Sequence, residues 1–346
     1  MAYFQFYYPK RLSFCPDDYE CPGLGGGEAS IVLLTTALAK RGHKVEVFNA
    51  VWKPKNYNGV TWKGAWEIND APAPDVFVAI RLKSAILDNK ARRNLFWMLD
   101  DRTAGAAAFS DLYPDGSVVL ASDAMIGRLQ MVNFNGRISK IPLPIEINKY
   151  DDTSAPSSSC ICIHTSMPNR GLVELLKFWP DIRKQVPYAE LYITSGWELW
   201  GYTEEEARDR FNQTLGSNFK NDGVFFTGVL SRSDLISLQR KSRLGLFPSF
   251  FPEMFCLAAA EMAVAGRPII VSELDALAER VVNQKTGFVV SGDIKSKEVH
   301  DLFVRKTVEL LKNDTLADEM GENAKHVREY VSSESVAKQW ELLVLD

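Results

Sequence analysis

Twice along the chain, short apolar runs of strand type alternate with segments whose apolar residues recur at helical spacing. That alternation limits the fold more than any other feature. Strands joined through helices make right-handed crossovers and a mostly parallel sheet. In the first series Ala2–Tyr8 reads as a strand, and a loop with Pro9, Pro16 and Pro22 leads to the glycine run Gly23–Gly27. A helix is expected over Glu28–Arg41, stopped by Gly42, followed by strands at Lys44–Phe48, Val76–Ile80, Leu95–Leu99 and Val118–Ala121. Helices are expected at Ala104–Leu112 and Asp123–Met131. The stretch Asn148–Ser159, polar, small and proline-containing, reads as a linker. In the second series strands are expected at Cys160–His164, Leu191–Thr194, Val224–Thr227, Leu244–Phe247, Pro268–Val271 and Gly287–Val290. Helices fall at Gly171–Gln185, Glu204–Leu215, Ser233–Lys241, Leu257–Ala265, Ser296–Lys312 and Thr315–Tyr330. The class is therefore α/β, two Rossmann-like domains in series with an interdomain cleft. Their expected spans are 1–150 and 151–330, with 331–346 as a closing helix packing back on the first domain.

Composition narrows the function classes. The 346 residues suit about two domains, and 46% hydrophobic with 24% charged residues excludes a mostly disordered chain. Apolar runs stay short of the ~18 residues that span a bilayer, and the opening MAYFQFYYPKRLSF lacks a signal-peptide layout. A net charge of -4 disfavours bulk nucleic-acid binding. The first 150 residues are mildly basic and the remainder acidic, which allows an anionic acceptor or, at most, peripheral membrane contact. Trp52-Lys53-Pro54-Lys55, with Trp62, Lys63 and Trp66 nearby, reads either as an acceptor-contacting patch or as an ordinary surface hairpin. The cysteines are Cys15, Cys21, Cys160, Cys162 and Cys256, an odd number without disulfide or zinc spacing. The expectation is a reducing cytoplasm and no metal.

Two segments carry chemistry. Gly25 and Gly26 precede a helix start, where backbone amides can approach an anion. Glu28 stands where a dinucleotide fingerprint needs its third glycine, so that fingerprint fails, and a loop with no ligand role is the other reading. The stronger segment runs from Phe247 through Pro248, Ser249, Glu253, Phe255, Cys256, Leu257 and Glu261 to Gly266 and Pro268. It reads as strand, proline-rich turn, small-residue helix and strand. Glu253 falls at the turn, and the amides of Phe255, Cys256 and Leu257 fall at the helix N-terminus, suited to an anion. Glu261 lies deeper on an alanine-lined face, where a carboxylate needs hydrogen-bonding partners; sugar hydroxyls are the expected ones, a surface glutamate the plain alternative.

This segment resembles the Glu-x7-Glu motif of retaining glycosyltransferases of family 4, with Met254 and Cys256 where many members have glycine. The resemblance extends to Gly25-Gly26-x-Glu28, Ile141-Pro-Leu-Pro-Ile, Val224-Phe-Phe-Thr227-Gly228, Thr286-Gly287 and Gln339-Trp340-Glu. It implies a GT-B fold and metal-independent transfer of a sugar from a UDP-, GDP- or ADP-sugar to a carbohydrate, lipid-linked or small-molecule hydroxyl, without a further cofactor. It further implies that Glu261 holds ribose, Glu253 contacts the donor sugar, Thr227 follows the strand beside the base, and Arg170 neutralises the diphosphate. Thr165 or Ser166 stands where the family has an earlier arginine. Leu99 stands where a histidine is usual in the first domain, which leaves Asp100 as a contact for acceptor or donor, or as a strand-end cap. A front-face mechanism, with a phosphate oxygen taking the acceptor proton, is implied. The alternatives are a GT-B epimerase or hydrolase acting on a nucleotide sugar, and a non-catalytic nucleotide-sugar-binding partner subunit.

Overall fold

The computed structural model describes residues 1–10, 14–151, 160–194, 196–215 and 222–345. Most of the polar stretch expected as a linker, from 152 to 159, lies outside the described residues. The chain divides into two units: 1–19, 26–146 and 330–346 form the first, and 20–25 with 147–329 the second.

The first unit is built on a seven-stranded sheet. In chain order its strands are β1 (Tyr3–Tyr7), β2 (Lys44–Tyr57), β3 (Val60–Gly64), β4 (Val76–Ile80), β5 (Arg93–Trp97), β6 (Ser117–Leu120) and β7 (Arg137–Lys140). Their spatial order is β3-β2-β1-β4-β5-β6-β7. The interior strand β4, Val-Phe-Val-Ala-Ile, is buried at every position, as expected of a parallel strand covered on both faces. β3 and β7 have no counterpart among the sequence expectations. Both lie at sheet edges, where half of the side chains meet water and the apolar run is lost. β2 also runs on past Phe48. Its last residues fold back on β3 around Asn58 (φ 49°) and Gly59 (φ 81°), with Tyr57 opposite Val60 and Lys55 opposite Trp62. Asn-Gly is the pair that tolerates two successive left-handed residues in a hairpin. Trp52 and Trp66 remain exposed beside this hairpin, 5.9 Å apart at their ring centres.

The last helix, Ser333–Leu345, packs in the first unit. Trp340 is buried against Trp97 and Phe6, with ring centres 5.1 and 6.0 Å away. Glu341 receives two hydrogen bonds from Arg41 (2.6 and 2.7 Å) and one contact from His43 Nε2 at 2.8 Å. His43 Nδ1 accepts from the Ala2 amide, which fixes the proton on Nε2 and makes it the donor to Glu341. His43 is thus a fastener of the C-terminal helix.

The second unit repeats the plan with six strands: β8 (Ile161–His164), β9 (Glu190–Ile193), β10 (Val224–Phe226), β11 (Leu244–Phe247), β12 (Ile269–Ser272) and β13 (Gly287–Val290). The order is β10-β9-β8-β11-β12-β13, parallel throughout. One face is filled by the helices Leu172–Gln185 and Lys297–Lys312, which bury Leu175, Phe178, Trp179, Phe303 and Leu310 with Leu191 and Leu246. The continuous helix expected at Thr315–Tyr330 is broken. It ends at Ala324, passes through the tight turn Lys325–Val327 and resumes at Arg328–Val331. The turn buries Val327 and lets Arg328 donate to the Val264 carbonyl (2.8 Å) and to Asp151 (2.7 Å). The five cysteines are free thiols. Among the described residues no helix is long and apolar enough to cross a membrane.

Candidate active site

In an open parallel sheet, a crevice forms outside the carboxyl ends of two neighbouring strands whose following connections leave in opposite directions. In the second unit those strands are β8 and β11. The loop after β8 carries Thr165, Ser166, Asn169 and Arg170, and the loop after β11 carries Pro248 to Cys256. Each loop delivers one charged side chain, and the two meet: Arg170 Nη1 lies 2.5 Å from Glu253 Oε2. The Glu253 side chain is 5% exposed and that of Arg170 is 24% exposed, so the carboxylate is covered while the guanidinium keeps an open side. The Arg170 guanidinium also lies over the Phe251 ring, 5.0 Å from its centre. Burial pushes the Glu253 carboxyl above its ordinary value, Arg170 pulls it part of the way back, and the charge of Asp275 adds to the rise.

The two loops approach closely because of Gly171. Its φ is +90°, and a β-carbon there would collide with the Pro248 carbonyl. Gly171→Ala is therefore expected to cost more than about 1 kcal/mol and to weaken ligand binding at these loops. Gly127→Ala, at a helical position with open space around it, is the matched control. Thermal melts of the two variants check this: equal midpoints would mean that the loops do not depend on their close approach.

Cys256 precedes the helix Leu257–Val264 in the left-handed region, at φ 59°. This is the position where the sequence resemblance expects glycine, and the backbone supplies the reason: only glycine adopts that conformation without strain. Cys256 and Phe255 are buried, and Arg280 covers the Phe255 ring at 4.3 Å.

The structure adds protein partners to the surroundings expected for Glu261. Its partners come from the protein: Oε1 accepts from Arg232 Nη1 at 2.6 Å, and Oε2 from Gln239 Nε2 at 3.0 Å. Tyr150 joins the network, donating to Gln239 Oε1 at 2.7 Å and accepting from Arg232 Nη2 at 3.2 Å. A carboxylate that is only 12% exposed needs charge-assisted bonds, and the helix Arg232–Lys241 provides them. A carboxylate has about four acceptor positions, so capacity for further hydroxyl donors remains.

Further buried polar atoms at the carboxyl end of this sheet lack a hydrogen-bond partner. They are Thr165 Oγ1, Asn169 Oδ1 and Arg170 Nε after β8, Thr194 Oγ1 after β9, and Ser272 Oγ at the end of β12. Buried polar groups without partners are uncommon, and these five atoms leave hydrogen-bonding capacity for a polar ligand at this end of the sheet. Ser166 is buried in the same loop. Thr227 follows β10, two strands removed from β8, roughly 10 Å away at the usual strand spacing. Its hydroxyl donates to the Gly228 carbonyl.

The remaining sequence candidates fall elsewhere. Gly25 closes the segment that groups with the second unit, and Gly26 opens the helix Gly26–Lys40 of the first. Asp100 Oδ1 accepts from the Arg102 amide at 3.1 Å, the strand-end role weighed for it, and Oδ2 lies 3.7 Å from Arg81 Nε. Arg232, Gln239 and Arg81 were not anticipated; the position of Arg81 directly after a buried strand was the available signal. Among the described residues no group of three or more His, Cys, Asp or Glu could hold a metal ion.

Comparison with known proteins agrees with this architecture. Residues 159–327 match the family model described as glycosyl transferases group 1, so the second unit carries a domain of that type. Of the solved structures, sucrose-phosphate synthase from Thermosynechococcus elongatus superposes with a TM-score of 0.77 at 14% identity, over 99% of this chain and 98% of that one. Anabaena HepE in complex with UDP-glucose superposes with a TM-score of 0.74 at 15% identity, over all of both chains. The fold is therefore that of the GT-B proteins, two Rossmann-like α/β domains. Among curated proteins, the trehalose synthase of Thermococcus litoralis is 26% identical over 162 residues, 46% of this chain; the match spans only 36% of that protein.

Proposed function

We propose that the chain is a retaining glycosyltransferase of family 4 type, transferring a sugar from a nucleotide sugar to an acceptor hydroxyl. The observation that carries this reading is the meeting of Arg170 and Glu253 at the order reversal of the second sheet, ringed by unpartnered polar atoms. A diphosphate takes Arg170 as a forked donor and the start of the helix Leu257–Val264 as a second positive element. Glu253 then faces the donor sugar, and Glu261, already oriented by Arg232 and Gln239, accepts from the ribose hydroxyls. The proton of the acceptor passes to the leaving phosphate, so the site needs no separate base. UDP is proposed as the nucleotide because HepE, similar over its whole length, was solved with UDP-glucose. The acceptor is proposed as a carbohydrate or a lipid-linked glycan, and the compartment as the cytoplasm.

The test is a panel of UDP-, GDP-, ADP- and CMP-sugars scored by thermal shift and by slow nucleotide release, with Glu261→Ala as control. A UDP-sugar is expected to raise the melting temperature of the wild type and not of the variant, with measurable nucleotide release. Binding without any release would turn the reading toward a non-catalytic partner subunit. No stabilisation by any nucleotide sugar would overturn the donor-site assignment.

A further inference from the structure

The first sheet has its own order reversal, between β1 and β4, and a network of charged side chains occupies it. The segment after β1 brings Tyr8 and Lys10, the first turn of the helix Gly26–Lys40 brings Glu28, the residue after β4 is Arg81, and Asp100 follows β5. Glu28 Oε1 is surrounded by Tyr8 Oη (3.0 Å), Lys10 Nζ (3.1 Å) and Arg81 Nη1 (3.3 Å). Arg81 Nη1 also donates to Tyr8 Oη at 2.8 Å, and its Nε faces Asp100 Oδ2 at 3.7 Å.

From this geometry we infer that Arg81 is a positioning residue, holding Glu28 and Asp100 as two fixed carboxylates at the order reversal of the first sheet. The inference rests on the glycosyltransferase reading for what those carboxylates meet, namely the hydroxyl groups of a sugar.

Three independent features support it. First, Arg81 sits in the left-handed region at φ 61°, with its amide tied to the Trp97 carbonyl at 2.9 Å. A non-glycine residue held there costs on the order of 1–3 kcal/mol, and such strain concentrates where a side chain must be aimed. Second, the guanidinium lies against the first turn of the helix, where a β-carbon at Gly27 would strike Nη2; the glycine run thus makes room for Arg81. Third, Arg81 Nε is buried with no hydrogen-bond partner, because its distance to Asp100 is that of an ion pair alone. A simple brace would close that bond. An arginine also keeps its proton at any physiological pH, so its charge on both carboxylates is permanent. Burial alone would raise the Glu28 carboxyl, but the charges of Arg81 and Lys10 outweigh it and hold Glu28 below its ordinary range.

The decisive variants are Arg81→Asn, which tolerates the left-handed backbone while removing the charge, and Arg81→Lys, which keeps charge without the fork. UDP-glucose, or whichever panel sugar releases nucleotide, serves as donor, and simple methyl glycosides as acceptors. Arg81→Asn is expected to lower kcat roughly 100-fold, the scale of loss when a reacting group is mispositioned. It is expected to leave the donor Kd within about twofold and to move the acid limb of kcat/KM to higher pH, because Glu28 loses the charge that keeps it ionised. Arg81→Lys is expected to return the acid limb toward the wild-type position while recovering kcat only in part. Unchanged kcat and pH profile in Arg81→Asn would overturn the inference. So would a donor Kd that rises as much as kcat falls, since Arg81 would then be a donor contact. If the wild type releases no nucleotide from any sugar, the proposed activity fails, and the role of Arg81 is read from stability against pH. A lowered folded-state carboxyl contributes stability that is present above its unfolded pKa and lost as pH falls through the folded value. Arg81→Asn then moves the acid-side loss of stability to higher pH, and an unmoved acid side overturns the inference.

Discussion

Glu253→Gln is expected to lower turnover by about 10² to 10³ while leaving donor affinity close to that of the wild type. The carboxylate is almost fully covered and its charged partner is Arg170, the side chain proposed to meet the diphosphate. In the proposed reaction this carboxylate faces the donor sugar and acts on the charge that develops there, and an amide of the same shape removes the charge while keeping the volume. Its loss therefore falls on kcat. The same substitution leaves Arg170 without a carboxylate when no donor is bound, so a diphosphate becomes its sole anionic partner and affinity does not fall. Steady-state kinetics beside calorimetric donor binding separates the two effects. Wild-type turnover in Glu253→Gln would remove the carboxylate from the chemistry, and a large loss of affinity would make it a binding group instead.

Glu261→Ala is expected to cost about 3–5 kcal/mol of stability in addition to weakening the donor complex. Arg232 and Glu261 are 9% and 12% exposed, and the alanine deprives a nearly buried guanidinium of the carboxylate it holds at 2.6 Å. Gln239 loses its acceptor as well, which passes the disturbance to Tyr150. Denaturant midpoints of Glu261→Ala, Arg232→Ala and the double variant measure the pair directly, since the double variant removes both charges together. A double variant as unstable as the sum of the singles would show that the pair does not couple. Glu261→Gln separates the ribose role from the scaffold role, because it keeps the packing and one hydrogen bond; unchanged nucleotide affinity in that variant would sink the ribose contact.

The motif from Phe247 to Pro268 was legible because strand, turn and helix are all written within one short stretch, so its periodicity and its two glutamates are visible together. The strands β4, β8, β11 and β12 were legible for a similar reason: central parallel strands are apolar on both faces. The edge strands β3 and β7 were not, since Arg137–Lys140 keeps its charged ends in water and reads as loop. The break at Lys325–Val327 was hidden because its helical periodicity continues while the burial of Val327 and the reach of Arg328 decide the turn.

By itself the sequence determined the class of fold and the placing of Glu253 and Glu261 on one turn-and-helix unit, because both depend on patterns of near neighbours, the first of them strand–helix alternation. Tertiary structure alone decided what those side chains touch. Glu261 meets Arg232 and Gln239, Glu253 meets Arg170, and Arg81 meets Glu28, across separations of 22 to 83 residues. The physical reason is that a buried charge must find a partner wherever the folded backbone brings one, and the order of strands in the sheet, which no local pattern encodes, sets which loops become neighbours.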